Sequence, residues 1–139
     1  SFMGIDRNSK VIIAETRGNR FGHLVLRGGS MEPNFGSEYV AFAEEKLRKA
    51  GIFTGMVIDC SHANSCKDHK RQGEALYDIA NQIRAGNTSI RGLMIESFLS
   101  EGNQKVTSAD SIKFGQSVTD ACIGWEETEK LIKQLAANI

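Results

Sequence analysis

The 139-residue chain is 40% hydrophobic and 24% charged and contains one proline, a composition typical of a folded globular domain and not of a disordered segment. Its 17 basic and 17 acidic residues cancel, so net charge favours neither nucleic acid nor an anionic membrane as a partner. No apolar run approaches the roughly 20 residues of a membrane-spanning helix, and the three cysteines fit neither a CxxC motif nor a disulfide framework, which favours the cytoplasm.

The start of the chain predicts a small β-hairpin. Two apolar runs, Phe2 to Ile5 and Val11 to Ala14, flank the polar segment Asp6-Arg7-Asn8-Ser9, which is typical of a turn. Because Ser1 is followed directly by the first apolar run, we expect the chain to begin inside a structural element, as a fragment of a longer protein would.

Three strand-then-helix units follow the hairpin. Apolar runs predict strands at His23 to Leu26, Met56 to Ile58 and Gly92 to Ile95. Helical periodicity predicts helices at Ser37 to Ala50, Lys70 to Ile83 and Glu126 to Ala137. A polar stretch from Glu101 to Ser117, without an apolar run that would predict a strand, separates the third strand from the last helix.

This alternation indicates an α/β fold built from parallel β/α units. An eight-stranded (β/α)8 TIM barrel needs about 250 residues, so the chain can supply roughly half of one. We therefore expect residues 1–139 to form one portion of a single barrel domain with no internal boundary.

Charged residues follow each of the three strands, where parallel β/α folds assemble their chemistry. Arg27 follows the first strand, Asp59 and His62 the second, and Glu96 the third, while Asp120 lies in a later loop. A histidine with two carboxylates is a ligand set suited to Mn²⁺, Fe²⁺, Co²⁺ or Zn²⁺. His62, Glu96 and Asp120 are therefore candidate metal ligands.

A structural role for the same residues is the alternative, and spacing alone leaves both open. His62 would then hydrogen-bond within a loop, Glu96 would be solvated and Asp120 would cap the last helical region. Arg27, followed by Gly28 and Gly29, could present a guanidinium group and backbone amides to a phosphate or carboxylate, or could pair with a nearby acid.

Two further residues near the candidate ligands are given structural roles. His69 lies in the charged run Lys67 to Arg71 and is expected to be a solvated helix start. Cys60 adjoins the candidate metal site, but a cysteine beside a buried strand more often packs in the core. We do not count Cys60 as a ligand.

Four motifs in fixed order carry a resemblance to a known family. They read Leu26-Arg27-Gly28-Gly29 with Glu32-Pro33-Asn34, then Ile58-Asp59-Cys60-Ser61-His62-Ala63-Asn64-Ser65, then Met94-Ile95-Glu96-Ser97 with Glu101-Gly102-Asn103-Gln104, and last Ser117-Val118-Thr119-Asp120-Ala121-Cys122-Ile123-Gly124-Trp125. Together they resemble the microbial type I 3-deoxy-D-arabino-heptulosonate 7-phosphate (DAHP) synthases. The resemblance runs from near residue 1 to near residue 135 and corresponds to the C-terminal part of that enzyme.

The resemblance implies a metal-dependent, aldol-type transferase. The family condenses phosphoenolpyruvate with erythrose 4-phosphate and releases phosphate, the first step of the shikimate pathway to the aromatic amino acids. Carried over by position, His62, Glu96 and Asp120 fall on catalytic metal ligands, and Arg27 falls on an arginine that contacts the phosphate of phosphoenolpyruvate. The resemblance further implies a homo-oligomer or an association with a missing N-terminal half.

Two alternatives to synthase activity of this chain stay open. The family's metal-binding cysteine and its other phosphate-binding residues belong to earlier strands that this chain lacks, so the chain alone could be an inactive half-barrel that needs its N-terminal half. A metal-dependent hydrolase using the same three ligands is the other alternative, although it does not account for the ordered motifs.

Overall fold

The computed structural model of the protein describes residues 1–19, 21–30, 32–52 and 54–139 and has a mixed α/β fold. The strands, numbered in chain order, are β1 (Phe2–Ile5), β2 (Val11–Ala14), β3 (Leu24–Leu26), β4 (Met56–Asp59), β5 (Ile90–Met94), β6 (Ser100–Asn103) and β7 (Gln116–Ser117). The α-helices are α1 (Ser37–Lys49), α2 (Gln72–Arg84) and α3 (Trp125–Asn138). Short 3₁₀ helices lie at His69–Arg71 and Ala109–Ser111.

A parallel sheet in the order β3-β4-β5 forms the centre of the fold. Leu26 lies beside Ile58, and Ile58 lies beside Leu93. Met56 and Ile58 of the middle strand are fully buried and share the hydrophobic core with Leu76 of α2. Burying one such side chain contributes about 1.5–3 kcal/mol, so the apolar runs that predict these strands also hold them in place.

The predicted α/β class is confirmed, and the bounds of these strands and helices differ from the predicted ones by one or two residues. The second helix differs most at its start, because the residues before Gln72 form a 3₁₀ turn. The side chain of Asp68 accepts a hydrogen bond from the backbone N–H of Lys70 at 3.0 Å and caps that turn. The closed barrel stays a prediction.

The predicted hairpin is confirmed as the antiparallel pair β1 and β2, with Phe2 opposite Ala14 and Ile5 opposite Val11. The side chain of Asp6 closes its turn by accepting hydrogen bonds from the backbone N–H groups of Asn8 and Lys10. The apolar side chains of both strands are largely exposed; Met3, for example, is 80% exposed. The hairpin therefore presents apolar surface to solvent.

A small parallel sheet of β6 and β7 lies in the polar stretch where the sequence predicts no strand. Side-chain amides support the pairing: Gln104 donates to the backbone carbonyl of Gln116 at 2.9 Å, and Gln116 donates to that of Glu101 at 2.8 Å. Because the residues of both strands are polar or glycine, hydrophobic patterning gives no signal for them. None of the described helices is long and apolar enough to cross a membrane.

Candidate metal centre

Three polar segments meet at one edge of the central sheet. Since β3, β4 and β5 are parallel, their C-terminal ends lie together. Arg27 follows β3 directly, His62 lies three residues after β4, and Glu96 lies two residues after β5. The loop that carries Asp120 reaches the same edge, because Ile123 donates a backbone hydrogen bond to the carbonyl of Glu96 at 3.0 Å.

His62 is held in a tight loop immediately after β4. Its backbone has a φ of 51°, in the left-handed region that residues with a Cβ atom seldom adopt. The N–H of Lys67 donates to the carbonyl of His62 at 2.8 Å, which closes the loop. This conformation turns the imidazole of His62 back toward the sheet edge, into reach of Asp59.

The buried carboxylate of Asp59 orients the imidazole. Nδ1 of His62 lies 2.7 Å from Oδ2 of Asp59, and Ser61 donates from its Oγ to Oδ1 of Asp59 at 2.6 Å. An ionised carboxylate only accepts hydrogen bonds, so the proton of the neutral imidazole belongs on Nδ1. The lone pair of Nε2 is then free to bind a ligand.

Two carboxylates lie close to the free nitrogen of His62. Nε2 of His62 is 3.6 Å from Oε1 of Glu96 and 4.0 Å from Oδ2 of Asp120. One ligand atom from each of the three residues lies within 4.8 Å of the others. Glu96 is partly buried, whereas the side chain of Asp120 is 73% exposed. One nitrogen and two carboxylate oxygens at this spacing could hold a divalent cation.

The electrostatic environment of Glu96 also suits a cation. Burial raises the pKa of the Glu96 carboxyl most, and the negative charges of Asp120 and Asp59 raise it further. His62 and Arg27 act in the opposite direction. The carboxylates therefore repel one another in the absence of a positive ion, and a bound divalent cation would relieve that repulsion.

The loop after β3 packs tightly on the loop that carries His62. A Cβ atom added to Gly28 would lie 2.5 Å from the Cβ of Ala63, and Gly28 has a φ of +87°. The side chain of Asn64 donates to the carbonyls of Leu26 and Asp59, at 3.1 and 2.7 Å. Arg27 is thus fixed relative to the candidate metal ligands by its neighbours along the chain.

These groups line one cleft of about 510 Å³, which Arg27, His62, Glu96 and Asp120 share. Ligand pockets typically have volumes of about 300–1,000 Å³, so the cleft is large enough for a small phosphorylated metabolite. The structure thus places all four sequence-predicted site residues around a single cleft.

Some residues around the cleft were not assigned from the sequence. His69 begins a short 3₁₀ helix as predicted, but the expectation that it is solvated is wrong: its side chain is 16% exposed, its Nε2 lies 2.9 Å from Oε1 of Glu101, and it lines the cleft. Cys122 lies beside the site, where burial and the charges of Glu96 and Asp120 raise the pKa of its thiol. The sequence signal that could have identified Cys122 is that it lies in the same motif as Asp120.

Cys60 belongs to the core and not to the cleft lining. It is fully buried, and it belongs to the same hydrophobic cluster as Met56 and Ile58. Burial, with a smaller effect from Asp59, raises the pKa of its thiol to about 12. A thiol in this environment stays protonated and is a poor metal ligand.

Comparison with known proteins matches almost the whole chain to one family. The model of the DAHP synthetase I family matches residues 2–133. Over 138 residues the chain is 43% identical to the Trp-sensitive phospho-2-dehydro-3-deoxyheptonate aldolase of Escherichia coli strain K12, covering 99% of this chain and 39% of that protein. It is 47% identical over 139 residues to the Tyr-sensitive phospho-2-dehydro-3-deoxyheptonate aldolase of Enterobacter agglomerans, covering 65% of that protein.

A solved structure agrees with the sequence relatives. The phospho-2-dehydro-3-deoxyheptonate aldolase of Francisella tularensis SCHU S4 superposes with a TM-score of 0.86 at 44% sequence identity. The match covers 99% of this chain and 40% of that one. The chain therefore spans about two fifths of the length of the E. coli and F. tularensis proteins.

Proposed function

The chain belongs to the DAHP synthetase I family, and we propose that it is part of a DAHP synthase. The proposed reaction joins C3 of phosphoenolpyruvate to the aldehyde carbon of erythrose 4-phosphate, consumes one water and releases phosphate, as the first step of the shikimate pathway. The observation that carries the proposal is the cluster of His62, Glu96 and Asp120 in one cleft with Arg27. Because the chain spans 39% of the E. coli relative, we assign the activity to a complete barrel.

The three clustered residues suit a divalent metal ion such as Mn²⁺, Fe²⁺, Co²⁺ or Zn²⁺. Nε2 of His62 and the carboxylates of Glu96 and Asp120 would hold it. When bound, such an ion supplies Lewis-acid chemistry that polarises a carbonyl or activates a water. The metal dependence of the reaction is part of the proposal.

The remaining site residues have binding and orienting roles in this proposal. The guanidinium of Arg27 can accept the phosphate of phosphoenolpyruvate in its planar fork. Asp59 keeps the proton of His62 on Nδ1, so that Nε2 faces the cleft. Holding both substrates in reacting geometry can account for a large part of the rate acceleration in such a condensation.

We propose that residues 1–139 are one portion of a single (β/α)8 barrel domain that acts in the cytoplasm. The parallel order β3-β4-β5 and the helices between these strands support this assignment. The remaining strands would come from an N-terminal portion, and the assembled barrel would bind both phosphorylated substrates. Association with that portion, or with a second copy, is the partnership that the proposal implies.

The proposal is tested by supplying the N-terminal portion. We would co-express the chain with the N-terminal portion of a longer family member and follow DAHP formation from phosphoenolpyruvate and erythrose 4-phosphate. We expect activity only from the assembled protein, lost with a chelator and restored by Mn²⁺. His62→Ala should abolish it, whereas Asp110→Ala, an exposed residue in the 3₁₀ helix Ala109–Ser111, should not.

Two results would contradict the proposal. An assembled, folded protein without DAHP formation would overturn the assigned reaction. Release of phosphate from phosphoenolpyruvate without erythrose 4-phosphate, at the same rate as with it, would indicate the hydrolase alternative.

A further inference from the structure

Gln72 is a buried polar residue outside the metal-ligand set. It is the first residue of α2 and is 0% exposed. A buried amide is costly unless its donor and acceptor groups find partners. The partners of this amide therefore indicate why a polar residue occupies this position.

Both partners of the Gln72 side chain belong to the backbone of Glu96. The N–H of Glu96 donates to Oε1 of Gln72 at 2.7 Å, and Nε2 of Gln72 donates to the carbonyl of Glu96 at 3.0 Å. Gln72 thus pairs with Glu96 as a neighbouring strand would, although β5 has already ended at Met94. The side-chain amide replaces a strand partner where the sheet stops.

The carboxylate of Glu96 depends on its backbone for its position. Within the described residues it accepts no hydrogen bond, since its contact with Nε2 of His62 is 3.6 Å long. A side chain without a hydrogen bond of its own points where its Cα and rotamer direct it. Moving the backbone of Glu96 would therefore move the carboxylate relative to His62.

The same backbone group also connects to the loop that carries Asp120. The carbonyl of Glu96 accepts a second hydrogen bond, from the N–H of Ile123 at 3.0 Å. Ser97, the next residue, forms a parallel bridge with Ile123. Gln72 therefore binds at the junction that joins Glu96 to the segment following Asp120.

From this arrangement we infer that Gln72 is a positioning residue of the metal centre, which fixes the backbone of Glu96 so that its carboxylate faces His62 and Asp120. The inference rests on the metal site of the proposed function and adds to it a residue that is not a ligand. Groups that orient metal ligands in this way commonly change metal affinity by about 10–100-fold when they are lost.

The test compares two glutamines of the same helix. Gln72→Met keeps the approximate volume of the side chain and removes both hydrogen bonds to Glu96. Gln82→Met is the matched control, because Gln82 also lies on α2 and donates to a backbone carbonyl, that of Phe35 at 2.8 Å. Mn²⁺ binding to the 139-residue chain is measured from the electron paramagnetic resonance signal of the free ion, at a temperature where every variant is folded by circular dichroism.

We expect Gln72→Met to weaken Mn²⁺ binding by about tenfold and Gln82→Met to leave it unchanged. Gln72→Asn is the second variant, in case Gln72→Met does not fold. It keeps a side-chain amide but is one methylene shorter, so the amide does not reach both the N–H and the carbonyl of Glu96. It should also weaken binding.

Each other result overturns the inference in a distinguishable way. If Gln72→Met and Gln72→Asn bind Mn²⁺ as tightly as the wild-type chain, Gln72 has no positioning role, and the proposed function is unaffected. Equal weakening by Gln82→Met shows a general effect of α2 and removes the role as well. If the wild-type chain binds no more Mn²⁺ than His62→Ala, the proposed metal site fails together with the inference.

Discussion

Nδ1 of His62 lies 2.7 Å from the buried carboxylate of Asp59, which is only 2% exposed. Ser61 occupies the other oxygen of that carboxylate at 2.6 Å. The pair is therefore anchored at the end of β4 before any ion binds, and it leaves Nε2 of His62 as the nitrogen that faces the cleft.

The first prediction concerns this pair. Asp59→Asn would place an amide opposite Nδ1, and an amide N–H that donates to Nδ1 would move the imidazole proton to Nε2. We expect Mn²⁺ affinity to fall by about 10–100-fold. Titration of Asp59→Asn with Mn²⁺ checks this prediction. The control is Asp110→Asn, which changes an exposed aspartate in a 3₁₀ helix. Equal affinities in the two variants would contradict it.

The second prediction is a pH dependence of stability that arises from Glu96. Burial, Asp120 and Asp59 raise the pKa of this carboxyl, so the folded chain holds its proton more tightly than the unfolded chain does. Proton binding by Glu96 therefore stabilises the folded chain. This stabilisation is fully present below the usual carboxyl pKa and is lost as pH rises through the raised pKa of the folded state. Glu96→Gln should therefore raise the melting temperature at neutral pH and have little effect at acidic pH.

The measurement for this second prediction is a set of thermal melts in a chelator between about pH 4 and about pH 8. Glu15→Gln, at an exposed position, is the control and should show no such divergence. A Glu96→Gln chain that is less stable than wild type at neutral pH would refute the predicted direction.

The third prediction concerns the contact of Gly28 with Ala63. Gly28→Ala adds a strained left-handed residue, costing about 1–2 kcal/mol, and a clash with the backbone and Cβ of Ala63, costing about 1–3 kcal/mol more. Gly51→Ala carries the strain alone, because Gly51 has a φ of +68° and, among the described residues other than its chain neighbours, no atom lies within 4 Å of an added Cβ. In urea unfolding, Gly28→Ala should lower the free energy of unfolding more than Gly51→Ala does. Equal decreases in the two variants would exclude the clash.

The fourth prediction is that the chain does not remain a monomer at working concentration. In the described residues β1 pairs only with β2, its other edge is unpaired, and Met3 and Ile13 are 80% and 74% exposed. Exposed apolar edge strands favour association. Met3→Lys should weaken it, whereas Ile139→Lys at the chain end should not.

Light scattering across a dilution series measures this association. We expect a mass above 15.2 kDa for the wild-type chain and a mass closer to that of the monomer for Met3→Lys. A wild-type chain that stays at 15.2 kDa with a cooperative thermal transition would show that the unpaired edge does not drive association.

The sequence predicts those parts of the fold that apolar side chains hold together. Met56 and Ile58 mark β4 because burial, which stabilises the strand, also leaves a pattern in the sequence. The strand Gln116–Ser117 leaves none, because side-chain amides support its pairing. Local composition cannot report a hydrogen bond whose partner lies elsewhere in the chain.

The candidate site is also predictable only in part from the sequence. His62 and Glu96 can be predicted because each follows an apolar strand, in a polar segment that marks where the strand ends. Gln72 does not stand out: it lies 24 residues before its partner, and a glutamine at a helix start is unremarkable in sequence. Residues that bind a cation are limited in chemical type, whereas residues that orient them need only reach a backbone group.

The two hydrogen bonds from the side chain of Asn64 have a consequence for chemical ageing. Asparagine followed by a small residue, here Ser65, deamidates when its side chain and backbone are free to move. Asn64 is 2% exposed and its amide is held by the carbonyls of Leu26 and Asp59. Conversion of Asn64 to aspartate would turn a donor into an oxygen that repels both carbonyls. The folded state thus protects against a lesion that would separate the Arg27 loop from the His62 loop, and each unfolding event exposes the chain to it.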